Sequence, residues 1–277
     1  MAKAIGLIGN FKGKVGNMVG YQIPDSNTGN TQGIRIYQPV VKNPKTSAQA
    51  EQRAKLAPIN ATYRALKSII DRGNEGLPYG NKSRLAWLKG AFKAENMPWI
   101  EKGKTIGFPV GCILTKGSLS GLEFQVGGEK LIVMAAGVTS ESDVTTIGKV
   151  STLLKTAYPA LHDGDQVTFV NVFSEQGVLG SEFFSLIINT TSTEQTTLIE
   201  ASAGQLELVS VHPSIAGSVI ISREGESGGH LRSSSFLVID PDTLEDAPYN
   251  ETSKTAAIAS YMASAAGSTD WAEESIQ

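Results

Sequence analysis

Cysteine and histidine are scarce in this chain of 277 residues: there is one cysteine and there are three histidines. A lone Cys112 forms no internal disulfide and supports no Cys-rich metal site. It lies in the apolar run Val110–Leu114 and reads as a small buried hydrophobe. Aromatics make up 7% of the chain. No apolar stretch reaches the roughly eighteen residues of a membrane-spanning helix. The opening MAKAIGLIGNFKGK has an apolar run too short for the core of a signal peptide, so a protein used without export is expected.

Catalytic motifs are missing as well. Gly13-Lys14 and Gly103-Lys104-Thr105 contain the Gly-Lys of a phosphate-binding loop, but the glycine needed five positions earlier is replaced by Ile8 and Pro98. No G-x-S-x-G occurs; Gly117–Gly121 reads GSLSG. His162 sits in a turn before Asp163-Gly164, His212 precedes Pro213, and His230 lies in a glycine-rich loop. All three read as exposed loop side chains rather than bases or ligands. Paired acids at Asp240, Asp242, Glu245, Asp246, Glu273 and Glu274 fall in loops and the tail, where carboxyls stay solvated and make poor general acids. The reading is therefore a non-enzymatic protein with no catalytic residue, no cofactor and no metal.

Charge is present in quantity and unevenly spread. Residues 1–105 hold 17 Lys+Arg against 6 Asp+Glu, a balance of +11, whereas residues 106–277 hold 7 against 21, a balance of −14. The net charge of −3 conceals both. Glycine is abundant, at 29 residues, which fits many turns and short strands.

Hydrophobic periodicity changes where the charge does. Val15–Ile23 and Gly33–Val41 read as two strands of a hairpin joined by the loop PDSNTGNTQG, with Pro39 marking an edge and the glycines at 6, 9, 13, 16 and 20 marking bulges or close approaches. Over 43–73, Thr46 and Gln49 form a capping box, and Leu56, Ile59, Tyr63, Leu66 and Ile70 form one apolar face, with Pro58 splitting or kinking the helix and Gly73 ending it. A second helix is expected over Asn81–Ala94, with Asn81 as cap and Leu85, Leu88 and Phe92 buried. Beyond residue 106 the period is two, with strands expected at 110–115, 122–126, 130–135, 166–173, 182–189, 205–211, 218–223 and 233–239. A helix interrupts them at 147–158 and another is expected over Thr252–Ala266. The fold class is α+β: a β-hairpin plus two helices, then an antiparallel β-sandwich or barrel, Ig-like, with one inserted helix. The expected divisions are 1–105, 106–245 and 246–277.

Two sets of side chains stand out as binding candidates. Lys12, Lys14, Arg53, Arg64, Lys67, Lys82, Lys89 and Lys93 belong to the basic region, several on helix flanks, and basic clusters of this kind neutralise phosphates. The plainer alternative is a solvated flank with local partners such as Lys67–Asp71. Arg223, His230 and Arg232 flank a glycine-rich loop tip, a common place for binding residues.

The stretch GKVGNMVGY … GIRIYQPVVKNPKTSAQAEQR resembles the opening of an uncharacterised family of proteins from Bacteroidota and their phages. The match rests on Gly13–Asn17, Asn43–Thr46, Gln49 and Arg53 and extends over about the first 95 residues. The family resemblance implies a phage structural protein with no enzyme activity. The expected partners are copies of the chain itself and other virion proteins, with DNA or RNA, or an acidic neighbour, against residues 1–105. The expected location is a virion, or otherwise the bacterial cytoplasm. A cytoplasmic nucleic-acid-binding protein and a receptor- or glycan-binding β-domain are the alternatives.

Overall fold

The computed structural model describes residues 13–25, 29–37, 46–135, 137–138, 140–202, 204–225, 229–246 and 248–266. The chain divides into two compact units, residues 1–45 and 46–277.

The first unit contains β1 (Gly13–Val15), β2 (Met18–Asp25) and β3 (Gly29–Ile36), an antiparallel sheet in that order. The stretch expected to be one strand from Val15 turns back at Gly16-Asn17, where Gly16 has φ 58°, the positive value a two-residue hairpin turn requires. Most of PDSNTGNTQG is strand rather than loop, because β2 and β3 remain in register out to Asp25 and Gly29. Backbone pairing runs the full length of this ribbon. Gly13 and Gly20 face each other in the ladder and mark no bulge. Gly6, Gly9, Lys12 and Pro39 lie outside the described residues.

The second unit opens with α1 (Ser47–Ala65), α2 (Lys67–Ile70) and α3 (Asn81–Ala91). Next come β4 (Ile113–Thr115), β5 (Phe124–Gly127), β6 (Lys130–Met134) and α4 (Ile147–Ala157). A long hairpin follows, β7 (Gln166–Glu175) and β8 (Val178–Ile187), then β9 (Ile199–Ser202) and β10 (Gln205–Leu208). The chain continues through β11 (Ala216–Glu224), β12 (His230–Arg232), β13 (Ser235–Phe236) and β14 (Val238–Ile239) to α5 (Pro241–Asp246) and α6 (Glu251–Ala266).

The architecture is α+β with sandwich-like sheets and no closed barrel. The central sheet has the order β12-β11-β7-β8, with β14 beside the start of β11. The second sheet has the order β5-β6-β10-β9. Opposed residues of an antiparallel pair share a face, so the register sorts the side chains. Val170, Val172, Ala216 and Ile220 point to one side and join a core with Ile59, Leu66, Ile70, Trp87 and Ala257. Val167, Phe169, Val219 and Ile221 point to the other and join Val126, Leu131, Val133, Leu154 and Leu206. Helices therefore cover one face of the central sheet, and the second sheet with α4 covers the other. Burial on both faces explains why Ala216–Ile221 is buried without alternation, whereas β6 and β10 alternate. The helices placed by sequence with the basic region thus share a core with the acidic strands, and the compact division falls at 45/46 instead of near 105.

Local signals mark the helix ends. Thr46 caps α1 by accepting the Gln49 N–H at 3.3 Å, but the Gln49 side-chain oxygen has no partner, so only half of the capping box forms. Helix α1 runs through Pro58 unbroken and ends instead at Leu66. Gly73 is not a helix cap: a Cβ there would lie 2.6 Å from the Leu114 carbonyl oxygen, so the residue is glycine for close approach. In α3 the N-cap is Gly80, with no side-chain bond, and the buried face is Ser83, Trp87 and Ala91. Leu85, expected inside, is 49% exposed. Trp87 carries more apolar area than any leucine, and its ring lies 6.0 Å from Tyr63 of α1, so it sets the helix rotation. Asp240 is also displaced from its expected role. It is buried, not solvated, and accepts the backbone N–H groups of Asp242 and Glu129 at the start of α5, a helix the sequence reading missed.

Trp87→Ala is expected to lower unfolding stability by about 3–5 kcal/mol, and Leu85→Ala by within about 0.5 kcal/mol. Urea denaturation of the two variants checks this; the reverse ranking would contradict the observed face of α3.

Candidate functional site

The basic helix residues lie on the side away from the core. Arg53 and Arg64 are eleven positions apart, which is about 20° around a helix advancing about 100° per residue, and both are exposed. The buried Ala50, Ala54, Pro58 and Thr62 lie about 60°, 100°, 140° and 180° from Arg53 on that count, so the two arginines stand on the exposed flank of α1. Lys67 on α2 is exposed too. On α3, Lys82 and Lys89 share a line on the side opposite Trp87, and Lys93 follows just past the helix end. The rotation set by Trp87 thus moves these lysines from the expected flank to the outward face.

None of these six cations has a hydrogen bond, ion pair or ring contact among the described residues. The proposed local partner of Lys67 is engaged elsewhere: Asp71 is buried and accepts the Tyr63 hydroxyl at 2.9 Å. Burial, and then that bond, push the Tyr63 hydroxyl pKa up. Neighbouring cations are occupied. Lys55 pairs with Glu51 at 2.8 Å, and Arg84 sits 4.5 Å over the Tyr63 ring. In the acidic region pairing prevails, as in Lys130–Glu207 at 2.6 Å, Lys155–Asp163 at 3.3 Å and Lys254–Glu251 at 3.1 Å. In the other unit, Lys14 lies 3.6 Å over the Tyr37 ring, and Lys12 is outside the described residues.

The three loop-tip candidates separate. Arg223 does not present a binding group at a tip. It donates through Nε at 2.6 Å and Nη2 at 2.7 Å to Asp165, and through Nη2 to the Ala160 carbonyl at 2.9 Å. Asp165, 1% exposed, also accepts the His162 N–H at 2.8 Å. Burial alone would raise the Asp165 pKa, but Arg223 and the His162 amide outweigh it and hold the carboxyl below the usual range. The pair pins the start of β7 to the end of β11. No sequence signal marks it, because 58 positions separate the partners. His230 and Arg232, by contrast, line a cleft together with Arg72 and Tyr79 of the α2–α3 loop.

Of the histidines, His162 and His230 are exposed, as expected. His212 is half-buried instead. Its Nδ1 lies 2.6 Å from Glu182 Oε1, its ring stacks on Phe173 at 3.9 Å, and Asn171 Nδ2 donates to both Glu182 and the His212 carbonyl. Ser210, the nearby hydroxyl, donates to the same carbonyl, so the cluster anchors the β10–β11 connection to the central sheet. Burial pushes the Cys112 thiol up to about 12, opposed weakly by the Trp87 indole, which leaves it a core side chain. Among the described residues, no group of three His, Cys, Asp or Glu is placed to hold a metal ion. No helix among them is long and apolar enough to cross a membrane.

No protein-family model matches this chain, and no curated protein or solved structure matches it.

The folded pKa of Asp165 lies below its unfolded value of about 3.9. Its contribution to stability is therefore complete above that value and is lost as pH falls through the folded pKa. Asp165→Asn is expected to cost about 3 kcal/mol at neutral pH and to flatten the fall of the urea midpoint below pH of about 4. Parallel pH profiles for the two proteins would contradict the assignment.

Proposed function

We propose that this protein is a non-enzymatic structural component that assembles with copies of itself and uses its helical layer to hold nucleic acid, within a phage virion. The observation that carries the reading is the set of six exposed cations, Arg53, Arg64, Lys67, Lys82, Lys89 and Lys93, without a side-chain partner among the described residues, on the exposed sides of α1, α2 and α3 and just past the end of α3. Several cations of the strand region are paired with acids, as Lys130 and Lys155 are. A face that keeps its cations free carries the charge needed to displace counterions from a phosphate backbone.

Two further observations support assembly. Helices and second sheet cover opposite faces of the central sheet, so the basic face and the strand-rich acidic face point away from each other. On the outer side of the second sheet Glu200 and Glu207 stand directly opposite one another, a like-charge pair that only Lys130 partly offsets. Met18, Ile34 and Ile36 share one exposed face of the three-stranded sheet, apolar area suited to a neighbouring subunit. The virion setting rests on the resemblance of the N-terminal segment alone.

Fluorescence anisotropy with a labelled DNA duplex tests the reading. Affinity should fall linearly on a log–log plot against salt, with a slope of about −0.9 per phosphate contacted. The variant Lys82→Ala/Lys89→Ala/Lys93→Ala should bind more weakly, with the slope reduced by about 2–3. Absence of binding at low salt, or a slope unchanged by the triple substitution, would remove the proposal. Salt-sensitive self-association without DNA binding would instead assign the cations to the acidic sheet of a sister copy.

A further inference from the structure

We propose that the cleft between the α2–α3 loop and the β11–β12 hairpin binds a small ring-bearing phosphate monoester, its phosphate held between the guanidinium groups of Arg72 and Arg232. The cleft has a volume of about 560 Å³, within the range of small-molecule sites, about 300–1,000 Å³. It lies wholly within the second unit.

Its floor is built by register. Gln166, Ser222 and Arg232 oppose one another across β7, β11 and β12 and so form one row on the helix-facing side of the central sheet. Farther along, that side carries Val170, Val172, Ala216 and Ile220. At this end polar side chains replace the apolar ones, and the α2–α3 loop stands over them. The loop is fixed by Glu75, whose carboxylate accepts the Ser118 N–H at 2.9 Å, the Ser118 hydroxyl at 3.0 Å and the Arg232 backbone N–H at 3.1 Å. Those N–H groups hold the Glu75 carboxyl below the usual carboxylate range, so it is a committed anchor.

Two cations remain without an anion. No carboxylate among the described residues forms an ion pair with Arg72 or Arg232, whereas neighbouring Arg223 is neutralised by Asp165. Arg232 is half-buried, and its burial first and Arg72 second push its pKa down, the condition a bound anion relieves. Arg72 lies 5.1 Å over the Tyr79 ring. Stacking uses the flat side of the guanidinium and leaves its in-plane donors for oxygens. A dianionic phosphate matches two guanidinium groups better than a carboxylate does. Tyr79, 65% exposed, and Leu77, 43% exposed, offer apolar surface for the ring.

Isothermal titration of the full chain with phenyl phosphate tests the site, with inorganic phosphate and phenol as comparisons. Saturable one-to-one binding is expected for phenyl phosphate, weaker binding for inorganic phosphate and none for phenol. Arg72→Ala, a substitution at an exposed residue, and Arg232→Gln should each weaken phenyl phosphate binding at least about tenfold. Lys82→Ala/Lys89→Ala/Lys93→Ala should bind it as the unaltered protein does, which separates this cleft from the helix surface. No saturable heat, or undiminished binding by Arg72→Ala, would overturn the proposal.

Discussion

The pairing of β7 with β11 is the constraint on which the rest of the second unit depends. The two strands run in unbroken register from Gln166–Ser222 to Val172–Ala216, and both faces of this ribbon are buried over Phe169–Val172 and Ala216–Ile221. A sheet buried on both sides needs a cover for each. Helices α1, α2, α3 and α6 supply one cover and the second sheet with α4 the other. The ribbon also carries polar groups into the interior: the Asn171 amide nitrogen is paired, whereas the Asn171 side-chain oxygen and the Ser218 hydroxyl have no partner among the described residues. Asn171 is 0% exposed and is held by Glu182 and the His212 carbonyl. Buried polar groups of this kind are costly when left unmade, which ties the β10–β11 connection to the sheet.

Function follows from what the two covers present outward. The helical cover turns its apolar residues to the sheet and presents to solvent cations that have no side-chain partner among the described residues, because Trp87 and the Ala50–Thr62 face of α1 occupy the inside. The second sheet presents acids. Within the second unit, charge that is segregated along the chain lies on opposite covers of one central sheet. The same geometry ends the helix-facing core at Gln166, Ser222 and Arg232, where polar side chains open a cleft.

Much of this was legible in local patterns. Thr46 as a cap, the helix expected over 147–158 and the strands expected at 166–173 and 218–223 depend on short-range chemistry, and the structure has these elements at Ile147–Ala157, Gln166–Glu175 and Ala216–Glu224. Exposure of the helix cations was also legible, because charged side chains stay in water, whereas the place of the three lysines opposite Trp87 was not. What was hidden depends on partners distant in sequence. Leu85 and Trp87 are both apolar, and only contact with Tyr63 decides which one turns inward. Arg223 looked like a loop-tip residue until Asp165 was brought to it, and Asp240 looked solvated until it met the Glu129 amide. Arg72 carried no signal at all, since its relation to Arg232 spans 160 positions and is created by the sheet edge and by Glu75.

Lysine reactivity tests most directly the claim that the outward helix cations meet nucleic acid. Acetylation followed by mass spectrometry, with and without a DNA duplex at low salt, reads each lysine separately. The account predicts that DNA protects Lys67, Lys82, Lys89 and Lys93, while Lys130 and Lys155, already paired with Glu207 and Asp163, keep their reactivity unchanged. Unchanged reactivity at the four helix lysines in the presence of bound DNA would contradict it.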